Sequence, residues 1–275
     1  MSRTLVRRII EILFFFGIFV LGTECGFVAN RVVNREVPVD TVQKTVIREV
    51  KTQELPVVEK EAEKTKEFGF GYGDNYLLKY LDNDEVQQVI LVEQSDKCVS
   101  EATLYLFKKD EENHWKLKLA CNAFLGKNGI DKVREGDKRT PTGDYGFLMA
   151  FGVKENPGAL IPYTKLTNTM YLCGDRDYYN QFVDISKIRH SCGGNSEHLI
   201  RYVPQYNYSL FIDYNKEGVY GKGSAIFLHC CGNYPYTLGC VGISEENMIK
   251  ILRSVNKTAR ICIYPKLKTK NIVKA

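Results

Sequence analysis

Between positions 86 and 264 the apolar residues recur mainly at every second position or in short unbroken runs, the repeat expected of β-strands. Residues 86–93 (VQQVILVE) read as a strand. Segments 102–108 (ATLYLFK) and 115–121 (WKLKLAC) alternate, and the polar stretch 110–113 turns the chain between them, which predicts a hairpin. A loop dense in glycine and charge, 126–144, leads into a strand at 145–151. Residues 154–205 show no steady period and read as a long irregular stretch with clustered tyrosines. Strands return at 209–214 and 224–229, and a last one falls at 259–264. The helical period appears once, over 245–255 (EENMIKILRSV), where Ser244 is placed to cap the helix and Met248, Ile249 and Leu252 share one face. Many strands and one late helix predict a mostly β domain, a sandwich or barrel-like core with a short C-terminal helix. No internal repeat is visible.

Upstream the pattern changes. Arg3, Arg7 and Arg8 precede an apolar run from 12 to 22 that resumes as far as 29, which predicts an N-terminal transmembrane helix with its basic tip inside and the rest of the chain exported. The alternative is a cleaved signal, but the small-x-small cleavage pattern is poor. Residues 30–67 are rich in Val, Glu, Lys and Thr, have no aromatic side chain, and read as a charged stalk or linker. The division is therefore a cytoplasmic tip and anchor at 1–29, a stalk at 30–67 and a folded domain at 68–275. Formal charge is +5 over 275 residues, and no basic patch is interleaved with aromatics, which argues against a nucleic-acid partner. The weak surplus suits an anionic membrane or wall polymer.

Nine cysteines are present, with no CxxC pair and no Cys/His ladder of zinc spacing, so no structural metal is expected. Cys98 with Cys121 and Cys173 with Cys192 are candidate disulfides, beside the alternative of small buried thiols. An odd count leaves at least one thiol over, a role that suits Cys240.

The stretch 223–252 carries the candidate chemistry. The apolar segment 225–228 delivers His229 at a strand end, a short loop turns back through Asn233, Pro235 and Tyr236, and Thr237-Leu238-Gly239-Cys240 enters the next strand. A hairpin of this kind brings imidazole and thiol together. An unassisted thiol is mostly protonated at neutral pH, and an adjacent imidazole can take its proton. Gly239 allows a turn that aims backbone N–H groups at a developing oxyanion. Spacing alone leaves a structural histidine as an open alternative.

These residues, with others upstream, resemble the L,D-transpeptidase catalytic domain, also called YkuD-like. That family pairs a strand-end histidine with Ser/Thr-x-Gly-Cys, here His229 and Thr237 to Cys240. Its upstream loop is matched by Glu135-Gly136-Asp137 and by Thr140-Pro141-Thr142-Gly143. Further similarity lies in 125–129 (LGKNG), Tyr178-Tyr179-Asn180, Ser196-Glu197-His198-Leu199 and 221–229 (GKGSAIFLH). The sequence departs from the family at Leu238, where many members have His, and at Gly242-Ile243, where many have an Arg.

The resemblance implies cysteine acyl transfer on peptidoglycan stem peptides, with Cys240 as nucleophile, His229 as base and no metal or organic cofactor. A stem tetrapeptide would be the donor and an amine of a neighbouring stem the acceptor, giving a 3→3 cross-link. An L,D-carboxypeptidase and a non-catalytic wall-binding module are the alternatives. Gly239, Thr237, Leu238, Tyr236 and Asn233 are then candidate pocket and oxyanion residues, and Thr140, Pro141, Thr142 and Gly143 a candidate site wall. Arg139, Arg189 and Arg201 are candidates for the stem carboxylates. His114, His190 and His198 read as surface or structural, and Cys230 and Cys231 lack the Gly-Cys turn of the nucleophile.

Overall fold

The computed structural model describes Tyr80 and residues 83–266, all within one compact unit. The expected anchor and stalk, and the expected domain start at 68, lie outside the described residues. Among the described residues no helix is long and apolar enough to cross a membrane.

The main sheet is built around a meander. Strand β1 (Gln88–Gln94) runs antiparallel to β2 (Glu101–Lys109), which pairs with β3 (Trp115–Phe124), so the expected hairpin is present and longer than its alternation indicated. The register slips between Leu106 and Phe107, where the partner of Phe107 is Leu117 rather than Lys118. One extra residue in β3 flips the faces. Trp115 and Leu117 therefore pack into one apolar cluster, with Val89, Leu91 and Phe107. Leu119, Cys121 and Ala123 pack into the other, with Ile90, Leu104 and Leu106. A single alternating stretch thus serves both faces of the sheet.

The remaining strands of this sheet are β4 (Gly143–Tyr145), β5 (Phe147–Gly152), β6 (Tyr163–Lys165), β10 (Ser209–Ile212), β11 (Phe227–Cys230), β12 (Val241–Ile243) and β13 (Arg260–Pro265). The spatial order is β4-β13-β1-β2-β3-β12-β11-β10-β5-β6. The strand expected at 145–151 is split at Gly146, and its halves lie near opposite edges of that order. One glycine joins the two, so the sheet must curl until its ends meet, which gives the barrel-like core. Gly146 is fixed there by hydrogen bonds with Asp213, N–H to Oδ1 at 2.8 Å and Asp213 N–H to its carbonyl at 3.1 Å.

Helix α1 (Glu245–Leu252) closes one end. Ser244 caps it, its Oγ accepting the Asn247 N–H at 3.3 Å, with Glu245 and Glu246 in the first turn and Lys250 in the last, each at the favourable end of the helix dipole. Met248, Ile251 and Leu252 are buried against strands from both halves of the sheet. Each such side chain contributes about 1.5–3 kcal/mol by leaving water.

Two expectations change. The stretch 154–205 is not irregular: it holds β6, β7 (Met170–Cys173), β8 (Gln181–Asp184) and β9 (Glu197–His198), the last three forming a separate small sheet in the order β8-β7-β9. Strands of two to four residues are too short to leave a period in the sequence. The Cys98–Cys121 pairing is also absent. Cys121 stands opposite Leu104 in mid-strand, whereas Cys98 lies in the turn before β2 and is disulfide-bonded, but not to Cys121. Cys173 and Cys192 keep separate thiols.

Candidate active site

Strands β11 and β12 are parallel, with Leu228 opposite Val241 and His229 opposite Gly242. The expected hairpin is therefore corrected. Parallel neighbours need a crossing connection, and the loop 231–240 makes it by passing the end of β3, where Gly126 and Thr237 form a bridge. The register places Cys240 two residues before the partner of His229, so both side chains point to the same face. They line one cavity of about 960 Å³. Gly242, beside His229, leaves that face open.

The backbone of Cys240 is held from two sides. Its carbonyl accepts a hydrogen bond from Thr237 Oγ1 at 2.7 Å and another from Thr140 Oγ1 at 3.1 Å. Thr140 is fully buried and also accepts the Gly126 N–H at 2.8 Å. Thr237 is tied to β3 by its N–H to Leu125 O at 2.8 Å and by Lys127 N–H to its carbonyl at 2.9 Å. The end of β3, the Thr-Pro-Thr-Gly segment and the Thr-Leu-Gly-Cys segment thus form one clamp around a single peptide unit.

The side chains of the pair are both neutral at pH 7. Burial pushes the Cys240 thiol up to about 12, with the nearby Glu197 carboxylate acting in the same direction. Its Sγ donates to Ala225 O at 3.0 Å and accepts the Phe227 N–H at 3.3 Å. Burial lowers His229 to about 4. One ring nitrogen, Nδ1, lies 2.7 Å from the carbonyl of Cys230 and so carries the proton, which leaves the other nitrogen as a base. The ring is packed edge-on by Tyr206 at 5.6 Å between centroids. Ala225, which takes the thiol hydrogen bond, has φ of +56°, an uncommon conformation for a residue with a Cβ and a local strain beside the thiol.

Lys132, Glu135 and Glu197 are charged side chains that line the cavity. Lys132 is almost wholly buried and bonds to Asp137 at 2.8 Å. Burial pushes the Asp137 carboxyl up, but hydrogen bonds from Lys132 and from the N–H groups of Val133, Arg134 and Arg139 outweigh it and hold it at about 2. Gly223 makes room for this lysine, since a Cβ there would come within 2.4 Å of Lys132 Cε. Glu135 accepts from Ser224 Oγ at 2.7 Å and from the Tyr179 hydroxyl. Asn180 accepts the Ala225 N–H at 3.0 Å. Glu197, contributed by β9, is raised to about 7 by burial and accepts from Tyr206 at 2.6 Å.

Among the residues singled out in the sequence, Tyr236, Thr237 and Leu238 line the cavity with Cys240 and His229. Leu238 is 69% exposed at the mouth. Asn233 and Gly239 are outside the lining. Gly239 has φ of +146°, and a Cβ there would press on Arg139 O at 3.1 Å. Its N–H donates to Thr237 Oγ1 at 3.1 Å, so that group is turned toward the clamp rather than the cavity. Thr140, Pro141, Thr142 and Gly143 do not face the cavity either. Thr140 sits behind Cys240, Pro141 is buried, Thr142 Oγ1 donates to Asp131 Oδ1 at 2.7 Å, and Gly143 opens β4. Arg139, Arg189 and Arg201 are likewise outside the lining, and Arg139 donates to Ile130 O at 2.8 Å. Cys231 lines the cavity, whereas Cys230 points away and donates to Tyr208 O at 3.5 Å. His114 is at the surface beside Asp110, and His198 Nε2 lies 2.9 Å from Asn168 O.

Lys132 and Tyr206 carried no signal in the sequence, and Ala225 was visible only as part of the segment 221–229. Glu135, Asp137, Asn180 and Glu197 were visible only as parts of motifs, without a role. A lysine five residues before an aspartate is unremarkable until the fold buries both.

A family model described as the L,D-transpeptidase catalytic domain (YkuD) matches residues 87–263, more than half of the chain. No curated protein matches it.

Proposed function

Because the chain belongs to the L,D-transpeptidase catalytic-domain family, a family of cell-wall enzymes, we propose that it transfers peptidoglycan stem peptides through a thioester on Cys240. The observation that carries this reading is the sharing of one cavity by Cys240 and a neutral, carbonyl-oriented His229. The thiol leaves its hydrogen bond with Ala225 and gives its proton to the free nitrogen of His229 as sulfur attacks the carbonyl of the third stem residue, a diamino acid. The carbon–nitrogen bond to the terminal D-alanine breaks, and His229 returns the proton to the departing amine. An amine of a neighbouring stem then attacks the thioester. The carbon–sulfur bond breaks, the thiol is restored through His229, and a 3→3 cross-link results. Water in place of the amine gives an L,D-carboxypeptidase. The half-buried Glu197, in the cavity wall, suits the ammonium of the donor or acceptor.

Proton transfer in this scheme accompanies attack. A raised thiol and a lowered imidazole disfavour a standing thiolate–imidazolium pair. The clamp of Thr140 and Thr237 fixes where sulfur begins its approach, and such positioning is worth orders of magnitude in rate.

The apolar segment near the N-terminus would hold the domain at the outer face of the membrane. Protease accessibility in intact cells tests that placement: an inaccessible domain refutes it. The function is tested with the full chain and muropeptides carrying tetrapeptide stems. Dimers with 3→3 links that vanish in Cys240→Ala support the transpeptidase, and tripeptide products alone support the carboxypeptidase. Full activity in Cys240→Ala, with loss in Cys231→Ala, refutes the assignment of the nucleophile.

A further inference from the structure

The small sheet β8-β7-β9 carries a second group of reactive side chains that the catalytic cavity does not use. Cys173 ends β7 and is fully buried, and its Sγ lies 3.4 Å from Nε2 of His190. Cys192 joins them, so that the two sulfurs and the imidazole nitrogen all lie within 4.8 Å of one another. Oδ2 of Asp175 lies 3.1 Å from the same nitrogen. The groups are held in place by their neighbours. Tyr178 stacks on the His190 ring at 4.5 Å, Gly193 N–H donates to Asp175 Oδ2 at 2.7 Å, and Ser196 Oγ donates to Cys173 Sγ at 3.7 Å.

We propose that Cys173, Cys192 and His190 bind a thiophilic divalent ion of the zinc class, with the fourth position left to water. Metal–sulfur bonds of about 2.3 Å and metal–nitrogen bonds of about 2.0 Å put tetrahedral neighbours roughly 3.5 Å apart for sulfur with nitrogen. The observed 3.4 Å needs only a small adjustment to reach that value. Two thiolates and an imidazole select zinc over the hard cations, which prefer oxygen ligands. The thiols release their protons on binding, and His190 binds as the neutral imidazole.

The fold gives such an ion a purpose. No residue from 185 to 196 is fully buried, so this loop has no apolar anchor, yet His190 and Cys192 converge on the buried Cys173. The third strand of the small sheet, β9, has only two residues and meets β7 at two positions, so little backbone pairing holds the loop that leads into it. The ion would join β7 to the loop that leads into β9. Leu172 and Gly174, on either side of Cys173, line the catalytic cavity together with Asn195 and Glu197. The metal clasp would therefore hold that wall of the cavity in place, independently of what the cavity acts on.

The test uses the reduced, chelator-washed full chain titrated anaerobically with Co²⁺. One equivalent is expected to give tetrahedral d–d bands and a thiolate charge-transfer band, both displaced by Zn²⁺. Cys240→Ala and Cys231→Ser keep these bands, whereas Cys173→Ser and Cys192→Ser lose them with an unchanged near-ultraviolet circular dichroism spectrum. Should a serine variant fail to fold, His190→Ala decides, with Co²⁺ binding expected to weaken at least about tenfold. Absence of saturable bands, their survival in Cys192→Ser, Co²⁺ binding as tight in folded His190→Ala as in wild type, or a Cys173–Cys192 disulfide in the non-reduced peptide map of the protein as isolated overturns the proposal.

Discussion

Replacing Thr140 by Val tests whether the Thr-Pro-Thr-Gly segment acts by holding the nucleophile from behind. Valine keeps the branched shape and the volume, so packing is nearly unchanged. Two hydrogen bonds are removed, from Gly126 N–H at 2.8 Å and to Cys240 O at 3.1 Å. The two losses are unequal. Cys240 O keeps the Thr237 hydroxyl at 2.7 Å, so its loss is the net value of one bond, about 1 kcal/mol. Gly126 N–H faces a methyl group in place of its acceptor, and an orphaned donor costs about 1–3 kcal/mol. The expected destabilisation is about 2–4 kcal/mol, which at this size lowers Tm by roughly 5–15 °C. Thr140→Ser keeps both bonds and removes one methyl group, for about 1 kcal/mol. Urea unfolding of the three proteins gives the order wild type, Ser, Val. The rate of Cys240 acylation by a tetrapeptide stem should fall about 10–100-fold in the Val variant and much less in the Ser variant. A Val variant as stable as wild type, or more stable than Ser, refutes the hydrogen-bond account and leaves packing as the role of Thr140.

Three further outcomes follow from the charges in the cavity. Alkylation of Cys240, followed by mass on its own peptide, should rise about tenfold per pH unit between pH 6 and 9, because the reactive thiolate is scarce well below a value of about 12; a plateau below pH 8 would instead reveal a standing ion pair with His229. Glu197 is raised to about 7, so the stability it confers is full below its unfolded value of 4.5 and is lost as pH rises through 7. Urea unfolding should accordingly favour Glu197→Gln over wild type more at pH 8 than at pH 5, by at most about 3 kcal/mol because the group borders an open cavity, and a difference independent of pH counts against a raised carboxyl. Lys132→Met leaves Asp137 a buried carboxylate with only backbone donors and should cost about 3 kcal/mol, partly restored by adding Asp137→Asn; additive losses in that cycle would mean the pair is not coupled.

The main elements of the domain were legible wherever they were long enough to show a period. The β2–β3 hairpin, the capped helix α1 and the last strand are set by local patterning, and all three are present within a few residues of their expected bounds. The three-stranded sheet was not legible, because strands of two to four residues carry no period. The split of 145–151 was hidden for a different reason: nothing in the apolar pattern distinguishes one bent strand from two strands that join at Gly146 across a closing sheet.

Cys240 and His229 stood out in the sequence because Gly-Cys after a strand-end histidine is a local motif, and so did the segments that surround them. The sequence alone therefore determines the family, the fold class and the pair of side chains that share the cavity. What the segments do there is set by contacts between residues far apart in the chain. Thr140 reaches the carbonyl of Cys240, Asp137 neutralises a lysine that Gly223 makes room for, and parallel rather than antiparallel pairing of β11 and β12 decides how thiol and imidazole face the cavity. The convergence of Cys173, His190 and Cys192 is of the same kind, since their spacing matches no local ligand ladder. Burial decides most of the rest, for the enclosed position is the largest cause that lowers His229 and raises Cys240, and burial is a property of the whole fold.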